Sequence, residues 1–397
     1  MKLRRIAVLS VVLLAALGLA LAFAGGEKEK PASAGGQKAL KAGFIYVGPI
    51  GDLGFTNAHD VGRIYAEKKL PWLKTVYVES VPEGDASRFI DRLVQEEKCD
   101  VVFTCSFGFM DDTVKAGAKY PNQVFMHCSG FKNSVNVGTY FADLYQMYYL
   151  NGLMAGALTK SNVIGYVGAF PIPEVVRHID AYALGVKASN PKAKVEVRWI
   201  YAWFDPQKAK EAAESLVTAG ADCLAFTEDT QAVVEVAEEH TKAGKPVYSF
   251  SHYSPMQKFG PTSCVSGQLV DWGVMYVKIL QDIKDGKWNN EDMWWLAREK
   301  AAVLGGTFDA PINPKFVDAL KAKKVKTPDL GELSVYDLVM KRYEAMQSGG
   351  RDAFDPFMGP ISDNKGTVKI PAGRYGTKGE LLSIDYYVDN VVGDVPR

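Results

Sequence analysis

The sequence predicts an α/β protein with two lobes, each built on a parallel sheet with helices packed against it. Short apolar runs alternate with amphipathic segments along most of the chain, which is typical of parallel sheets with right-handed crossovers. The alternation pauses near residues 151–162 and then starts again. At 397 residues, the chain is also too long for a single small core. Two similar lobes with a cleft between them are therefore expected.

The first 40 residues are predicted to be a targeting segment and a tether. A cationic start at residues 1–5 precedes an apolar run, and Ala22-Phe23-Ala24 offers small residues to signal peptidase. We predict a signal peptide over residues 1–24 and a flexible polar tether over residues 25–40. An uncleaved membrane anchor is the alternative, because the apolar run is nearly as long as the about 20 residues needed to span a bilayer. No cysteine lies near this site for lipid attachment. We expect the protein in the periplasm or on the extracytoplasmic face.

The first alternating unit begins with an apolar strand, a loop rich in turn residues and a helix. In that helix Val61, Ile64 and Tyr65 have helical spacing, and Thr56 or Asn57 is the predicted N-cap. Strands are predicted over residues 41–47, 74–79, 100–105, 124–128 and 135–140, and helices over 57–69, 85–97, 113–120 and 144–159.

The second unit repeats the pattern, and the rest of the chain is mixed. Strands are predicted over residues 163–170, 195–200, 223–226 and 246–250, and helices over 174–190, 207–219, a segment ending at 243, 274–285 and 334–348. The helix over 274–285 is predicted to return to the first lobe. We therefore assign residues 41–155 and 270–345 to lobe 1, residues 156–269 to lobe 2, and residues 346–397 to a C-terminal segment that wraps over the lobes.

Composition and motifs argue against several classes of function. The 46 basic and 46 acidic residues balance, so charge gives no case for nucleic acid or an anionic membrane as partner. The chain lacks Gly-x-Ser-x-Gly, Walker and His-Glu-x-x-His motifs, and its five histidines have no metal spacing. We expect no enzyme activity, no cofactor and no metal. Of the five cysteines, Cys99, Cys105, Cys128 and Cys223 lie in or beside predicted strands and are predicted to be buried free thiols, with one disulfide as the alternative.

Loops at predicted strand ends combine aromatic and acidic residues, which favours small-molecule binding. In an open parallel sheet, ligands bind where strands end and helices begin. Aromatic faces suit a planar ring, and carboxylates accept hydrogen bonds from ring or exocyclic N–H groups. No loop holds the basic cluster or glycine-rich cradle that phosphate requires. The candidate ligand-binding residues are Asp52, Phe55, Thr56, Asn57, Phe107, Phe109, Asp111, Trp203, Thr227, Glu228, Asp229, His252 and Trp272.

Structural roles compete with binding at several of these positions. Phe107 could cap the core, and Trp272 could pack at a hinge. One of Asp111 and Asp112 is expected to cap a helix, and Asp205, beside Trp203, is expected to be a cap. Glu174 and Arg177 would face the cleft only if the preceding Pro-Ile-Pro turn does.

Several segments together resemble the Bmp (basic membrane protein) family of ABC-transporter solute-binding proteins, from about Lys41 onward. These segments are Gly51–Arg63, Ser106–Asp111, Ser161–Tyr166, Phe170–Arg177 and Trp203–Pro206. The resemblance implies a type I periplasmic-binding-protein fold, with two Rossmann-like lobes joined by a hinge. It also implies capture of a purine nucleobase or nucleoside for the subunits of an ABC permease.

The resemblance assigns roles to matching positions. It gives the first-loop role to Asp52 and Phe55, the second-loop role to Phe107 and Asp111, and the second-lobe aromatic role to Trp203. Thr227, Glu228 and Asp229 match the strand end that faces the ligand. The nucleoside receptors often carry Asp-Lys-Ser-Phe-Asn in the first loop, whereas this chain has Asp-Leu-Gly-Phe-Thr-Asn. The missing lysine favours a free base such as adenine or guanine. A sugar, a furanone signal and nucleoside hydrolysis are the alternatives.

Overall fold

The computed structural model describes residues 39–397. The predicted signal peptide and almost all of the predicted tether lie outside the described residues. Within residues 39–397, no helix is both long enough and apolar enough to cross a membrane.

The described part of the chain contains seventeen strands and eleven α-helices, numbered here in chain order. The strands are β1 Leu40–Tyr46, β2 Leu73–Val78, β3 Val101–Cys105, β4 Val124–Cys128, β5 Val137–Ala142, β6 Val163–Gly168, β7 Lys194–Trp199, β8 Cys223–Thr227, β9 Tyr248–Tyr253, β10 Cys264–Val270, β11 Asp292–Trp295, β12 Ala302–Leu304, β13 Lys324–Thr327, β14 Gly331–Ser334, β15 Ile361–Ser362, β16 Val368–Ile370 and β17 Val391–Val392. The helices are α1 Phe55–Lys69, α2 Ala86–Gln95, α3 Met110–Lys119, α4 Tyr145–Leu158, α5 Pro173–Ser189, α6 Pro206–Thr218, α7 Ala232–Lys242, α8 Trp272–Lys284, α9 Pro314–Ala322, α10 Val335–Gly349 and α11 Lys378–Leu382.

Two large sheets organise the fold, which confirms the predicted α/β class. Sheet 1 has the strand order β11-β5-β4-β3-β1-β2, and every neighbouring pair is parallel. Sheet 2 has the order β12-β10-β9-β8-β6-β7-β17 and is parallel except where β12 meets β10. We call each sheet with its packed helices a lobe. The assigned lobe boundaries stay a prediction.

Helix α4 follows the last consecutive strand of sheet 1 and leads into the first strand of sheet 2. Every residue of α4 is buried, which explains why its sequence is apolar on all sides. It packs along α5. The largest apolar cluster includes Phe44 and Phe103 from sheet 1 and Tyr166 and Ala225 from sheet 2. One core therefore runs through both lobes.

Helix α1 begins two residues before the predicted start, and the predicted caps Thr56 and Asn57 are wrong. Gly54 occupies the N-cap position. The carboxylate of Asp52 instead accepts hydrogen bonds from the backbone N–H groups at the helix start. The predicted apolar face is also reversed, because Val61, Ile64 and Tyr65 are exposed. The buried face of α1 instead includes Ala58, His59 and Ala66, and the half-exposed Tyr65 ring lies beside Gly273 of α8.

Two predicted strands are displaced by two residues at their start. The strand predicted over residues 135–140 is β5, which begins at Val137, and that predicted over 246–250 is β9, which begins at Tyr248. Before β5, the Asn136 side chain donates to three backbone carbonyls and fixes a turn. Cys99, Cys105, Cys128 and Cys223 are buried and unpaired, as predicted, and so is Cys264.

The C-terminal segment adds structure that periodicity did not reveal. Strands β15 and β16 form a hairpin, and β17 extends sheet 2 beside β7. Leu381, Tyr387 and Val388 are buried in the main core. A second hairpin, formed by β13 and β14, directly precedes α10.

Candidate functional site

A narrow cavity lies where the carboxyl ends of the strands of the two sheets face each other. Its empty space is about 340 Å³, counted out to the open solvent at its mouth. Both lobes contribute to its wall, as expected for ligand sites in open α/β sheets. Lobe 1 supplies Val47, Phe55, Ser106, Phe107 and Ser129, and lobe 2 supplies Glu174, Trp203, Thr227, Asp229 and Tyr253.

The lobes touch along one edge of this cavity. The Asp229 carboxylate, just beyond β8, accepts a hydrogen bond from the backbone N–H of Phe55 at 3.0 Å. The Ser254 hydroxyl lies 3.3 Å from the carbonyl oxygen of Gly54 and 3.2 Å from Oδ1 of Asn57. A Cβ at Gly54 would lie only 2.5 Å from Cα of Asp229. The structure therefore shows the lobes closed against each other at the start of α1.

Asp52 holds the loop that presents Phe55 to the cavity. Its Oδ1 accepts from the N–H groups of Gly54 at 2.8 Å and Asn57 at 2.9 Å, and its Oδ2 accepts from that of Thr56 at 3.0 Å. These donors are the unpaired N–H groups that every helix start leaves, and Asp52 satisfies them. Burial raises the pKa of Asp52 to about 6 despite these hydrogen bonds.

Carboxyl groups dominate the electrostatics of the cavity. Burial raises the pKa of Asp229 well above its usual value, and the nearby charges of Asp52 and Glu174 raise it further. Burial also raises the pKa of Glu174. Among the described residues, no lysine or arginine lines the cavity. The site is therefore suited to a neutral or cationic group that offers hydrogens, and it is unsuited to an anion.

Aromatic rings from both lobes form much of the wall. The rings of Phe55 and Tyr253 meet across the lobe boundary with centroids 5.1 Å apart and planes at 63°. Trp203 lies in the loop after β7, and its ring packs on Phe170 at 5.0 Å. Its indole Nε1 is buried and has no hydrogen-bond partner within residues 39–397. A buried donor without a partner is costly, so a ligand that accepts from it gains affinity.

Most other polar groups in the wall are already paired within the protein. The Ser106 hydroxyl donates to Glu83, and the Tyr253 hydroxyl donates to Oε1 of Glu174 at 3.0 Å. The Thr227 hydroxyl bonds the hydroxyls of Tyr148 and Tyr166. A ligand is left with a small set of polar partners: the Trp203 N–H, the carboxyl groups of Asp229 and Glu174, and the Ser129 hydroxyl, which lies 3.8 Å from the Cys128 thiol.

Five of the thirteen predicted site residues line this cavity. They are Phe55, Phe107, Trp203, Thr227 and Asp229. Phe107 and Phe109 share one 3₁₀ turn, yet only Phe107 reaches the cavity, while Phe109 is fully buried in a separate apolar cluster. The structure thus brings together predicted residues from both lobes. Their role in ligand binding stays a prediction.

The other eight predicted residues do not line it: Asp52, Thr56, Asn57, Phe109, Asp111, Glu228, His252 and Trp272. Thr56 is buried and accepts from the N–H of Gly48 at 3.1 Å. Asp111 is exposed and pairs with Lys132 at 2.6 Å. The Trp272 ring stacks on the buried His59 ring with centroids 4.2 Å apart.

Glu228 and His252 lie just behind the cavity wall. Glu228 is fully buried, and burial raises its pKa. The His252 ring lies 3.0 Å from the Tyr148 hydroxyl, and burial lowers its pKa well below the usual value. Asp205 caps α6 by accepting from the N–H of Lys208 at 3.0 Å, as predicted.

Five lining residues were absent from the predicted set: Val47, Ser106, Ser129, Glu174 and Tyr253. Val47, Ser106 and Ser129 each follow a strand of sheet 1 directly, and Tyr253 is the last residue of β9. Choosing every residue at the carboxyl end of a strand would therefore have included all four. Glu174 stands in the first turn of α5. Its direction depends on the Pro171-Ile172-Pro173 turn, whose geometry the sequence did not settle.

Comparison with known families fits this arrangement. The model of the Bmp family, described as "ABC transporter substrate-binding protein PnrA-like", matches residues 39–333, a range that includes every residue of the cavity wall. The chain belongs to the Bmp family of ABC transporter substrate-binding proteins. Proteins of this class take up a small-molecule ligand outside the cytoplasm and work with a permease.

Two relatives and two solved structures extend the comparison. A purine-binding protein of Brucella abortus is 32% identical over 91% of this chain and 95% of its own length. A candidate ABC transporter glucose-binding protein of Haloferax volcanii is 38% identical over 64% of each chain. ABC transporter solute-binding proteins from Aeropyrum pernix and Conexibacter woesei superpose with TM-scores of 0.66 and 0.59. They are 16% and 20% identical, over 82% and 78% of this chain and 93% and 97% of theirs. These two structures confirm the type I binding-protein fold.

Proposed function

We propose that the cavity between the lobes binds a purine nucleobase or nucleoside, which the protein delivers to an ABC permease without chemical change. The observation that carries this proposal is that Phe107, Trp203 and Asp229 lie in the wall of one cavity. The two rings offer flat apolar faces from opposite lobes. The Asp229 carboxyl group can bind the polar edge of a base. The name of the relative from Brucella abortus, a purine-binding protein, also supports the proposal.

The polar groups left open in the cavity favour a base over a sugar. A hexose carries several hydroxyl groups, and each one that is buried needs a hydrogen-bond partner. The hydroxyls of Ser106, Thr227 and Tyr253 are already engaged within the protein. A purine has two apolar faces and a polar rim, which matches aromatic walls with a few open polar groups. The free indole N–H can donate to a ring nitrogen, and Asp229 can bind a ring or exocyclic N–H.

Closure of the lobes would enclose the ligand. Phe55 and Tyr253 meet across the boundary, and Asp229 bonds the start of α1, so the same residues form the wall and hold the closed state. A ligand that touches both lobes shifts the population towards this state. We place the protein on the extracytoplasmic side, released or anchored by its predicted N-terminal segment.

Isothermal titration calorimetry tests the proposal. The protein is titrated with adenine, guanine, hypoxanthine, adenosine and glucose after bound ligand has been removed by partial unfolding and refolding. We expect at least one purine to bind with micromolar or lower Kd. Micromolar binding of glucose with no binding of any purine would overturn the proposal and support the sugar candidate, which the relative from Haloferax volcanii favours. Release of free base from adenosine during incubation would show hydrolysis and contradict a pure binding role.

A further inference from the structure

A second cavity opens directly beside the first. Its empty space is about 530 Å³, counted out to the open solvent, and Phe107, Ser129 and Glu174 line both cavities. The two cavities therefore share a boundary formed by these three residues, and they are not separate sites. We call the second cavity the side chamber. It lies between the lobes, because its wall combines Phe141 of β5 with Ile172, which precedes α5.

The side chamber is mainly apolar. Its wall includes Phe131, Phe141, Ile172, Trp294 and Leu382. Phe131 is among the most exposed aromatic side chains of the described residues, with 65% of its surface accessible. Large exposed aromatic rings at the rim of a cavity are typical of surfaces that contact a ligand or partner.

Two of the three charged groups in this wall, Arg177 and Asp292, are neutralised by neighbours, while Glu174 accepts, among the described residues, only from the Tyr253 hydroxyl. Arg177 is paired with Asp143 at 2.8 Å and also donates to the carbonyl oxygen of Leu381 at 2.7 Å. Asp292 pairs with Lys378 at 2.7 Å and accepts from the Thr139 hydroxyl at 2.9 Å. The indole N–H of Trp294 donates to Asp143 at 2.9 Å. A polar guest would therefore find few unpaired partners in the chamber.

We propose that the side chamber holds an apolar substituent carried by the ring in the main cavity, so that the preferred ligands are alkylated or arylated purines. This inference rests on the proposed function, because it needs a ring in the main cavity. The shared boundary at Phe107 and Ser129 places any group that projects past Phe107 in the chamber. A ribose or a phosphate there would replace many water contacts with few hydrogen bonds, because Ser129 and Glu174 are the main open polar groups of the wall. A hydrocarbon group instead gains by burial.

The inference predicts a specific order of affinities. Each methylene group that becomes buried strengthens binding by about fourfold when its geometry fits. We expect N6-benzyladenine, N6-isopentenyladenine or 9-benzyladenine to bind at least about tenfold more tightly than adenine, and adenosine to show no such gain. The three probes cover the two ring edges from which a substituent can project. Calorimetry provides the dissociation constants under one set of conditions.

A pair of matched variants shows where any gain arises. Phe131→Ala removes a ring from the chamber, and Phe308→Ala removes another exposed ring, 51% accessible, that lines neither cavity. The affinity ratio between the best substituted base and adenine should fall several-fold in Phe131→Ala and stay constant in Phe308→Ala. A second variant, Leu382→Asp, places a charge in the chamber and should reduce the ratio further.

The outcomes separate this inference from the proposed function. If adenine or another plain purine binds but no substituted base binds more tightly, the side-chamber inference is wrong and the proposed function stands. A gain that persists unchanged in both Phe131→Ala and Leu382→Asp also overturns the inference, because the substituent must then lie elsewhere. If no plain or substituted purine binds, both are wrong.

Discussion

Replacing Gly54 by alanine is expected to hold the lobes apart and weaken ligand binding. An added Cβ would lie 2.5 Å from Cα and 2.7 Å from Cβ of Asp229. Both contacts are far below van der Waals distance, and a backbone atom cannot move aside as a flexible side chain can. Moving the lobes apart to relieve these contacts would also break the hydrogen bond from the Phe55 N–H to Asp229. The closed state should therefore lose stability relative to the open state.

The size of the effect follows from the cost of overpacking, which is about 1–3 kcal/mol for one added methyl group. A population shift of that size weakens the apparent affinity by about 5- to 150-fold. Gly51→Ala is the matched control, since a Cβ at Gly51 meets nothing within 4 Å and Gly51 lies in the same loop. Calorimetry measures the Kd of both variants, small-angle scattering reports lobe opening, and thermal unfolding checks the fold. Equal affinity of Gly54→Ala and Gly51→Ala would refute the closure argument.

Three further substitutions test the site and its support. Trp203→Ala should weaken purine binding by about tenfold or more without unfolding the protein, because an aromatic stack adds about 0.5–1.5 kcal/mol to the gain from burial; unchanged affinity in calorimetry would remove Trp203 from the site. Phe109→Ala should lower the free energy of unfolding by about 3–5 kcal/mol in urea titrations, because it empties a buried core position; a stable variant with lost binding would contradict this. The raised pKa of Asp52 means that the folded state binds its proton more tightly than the unfolded state does. The free energy of unfolding of the wild type, relative to Asp52→Asn, should therefore fall as pH rises from about 4 through about 6; a rise over that interval would refute the assignment.

The order of strands and helices could be predicted because it depends on local patterns. The short and mainly apolar run at residues 101–105 favours a buried strand between helices, and the structure confirms it as β3. Strand β17 could not be predicted, since its two residues become a strand only by pairing with β7. The apolar face of α1 was misjudged because three exposed residues happen to have helical spacing, while its buried face includes His59, Asp60 and Arg63.

The site was predictable to the level of its loops and not of each side chain. Phe107 and Phe109 are two residues apart in one turn, and the sequence gives no means to decide which ring enters the cavity. Asp52 carries the features of a ligand-binding acid, yet its carboxylate is used at the start of α1. Whether the Glu174 side chain reaches the cavity depends on how the preceding proline-rich turn orients α5. These outcomes require the packing of one lobe on the other, which no local pattern encodes.

The most direct test of the central claim is a crystal structure of the protein with the tightest-binding purine from the calorimetric panel. We predict that the base lies between the rings of Phe107 and Trp203, with a hydrogen bond to the carboxyl group of Asp229 and another to the Trp203 indole N–H. A base bound outside this cavity, or bound within it without contact to either ring or to Asp229, would contradict the account.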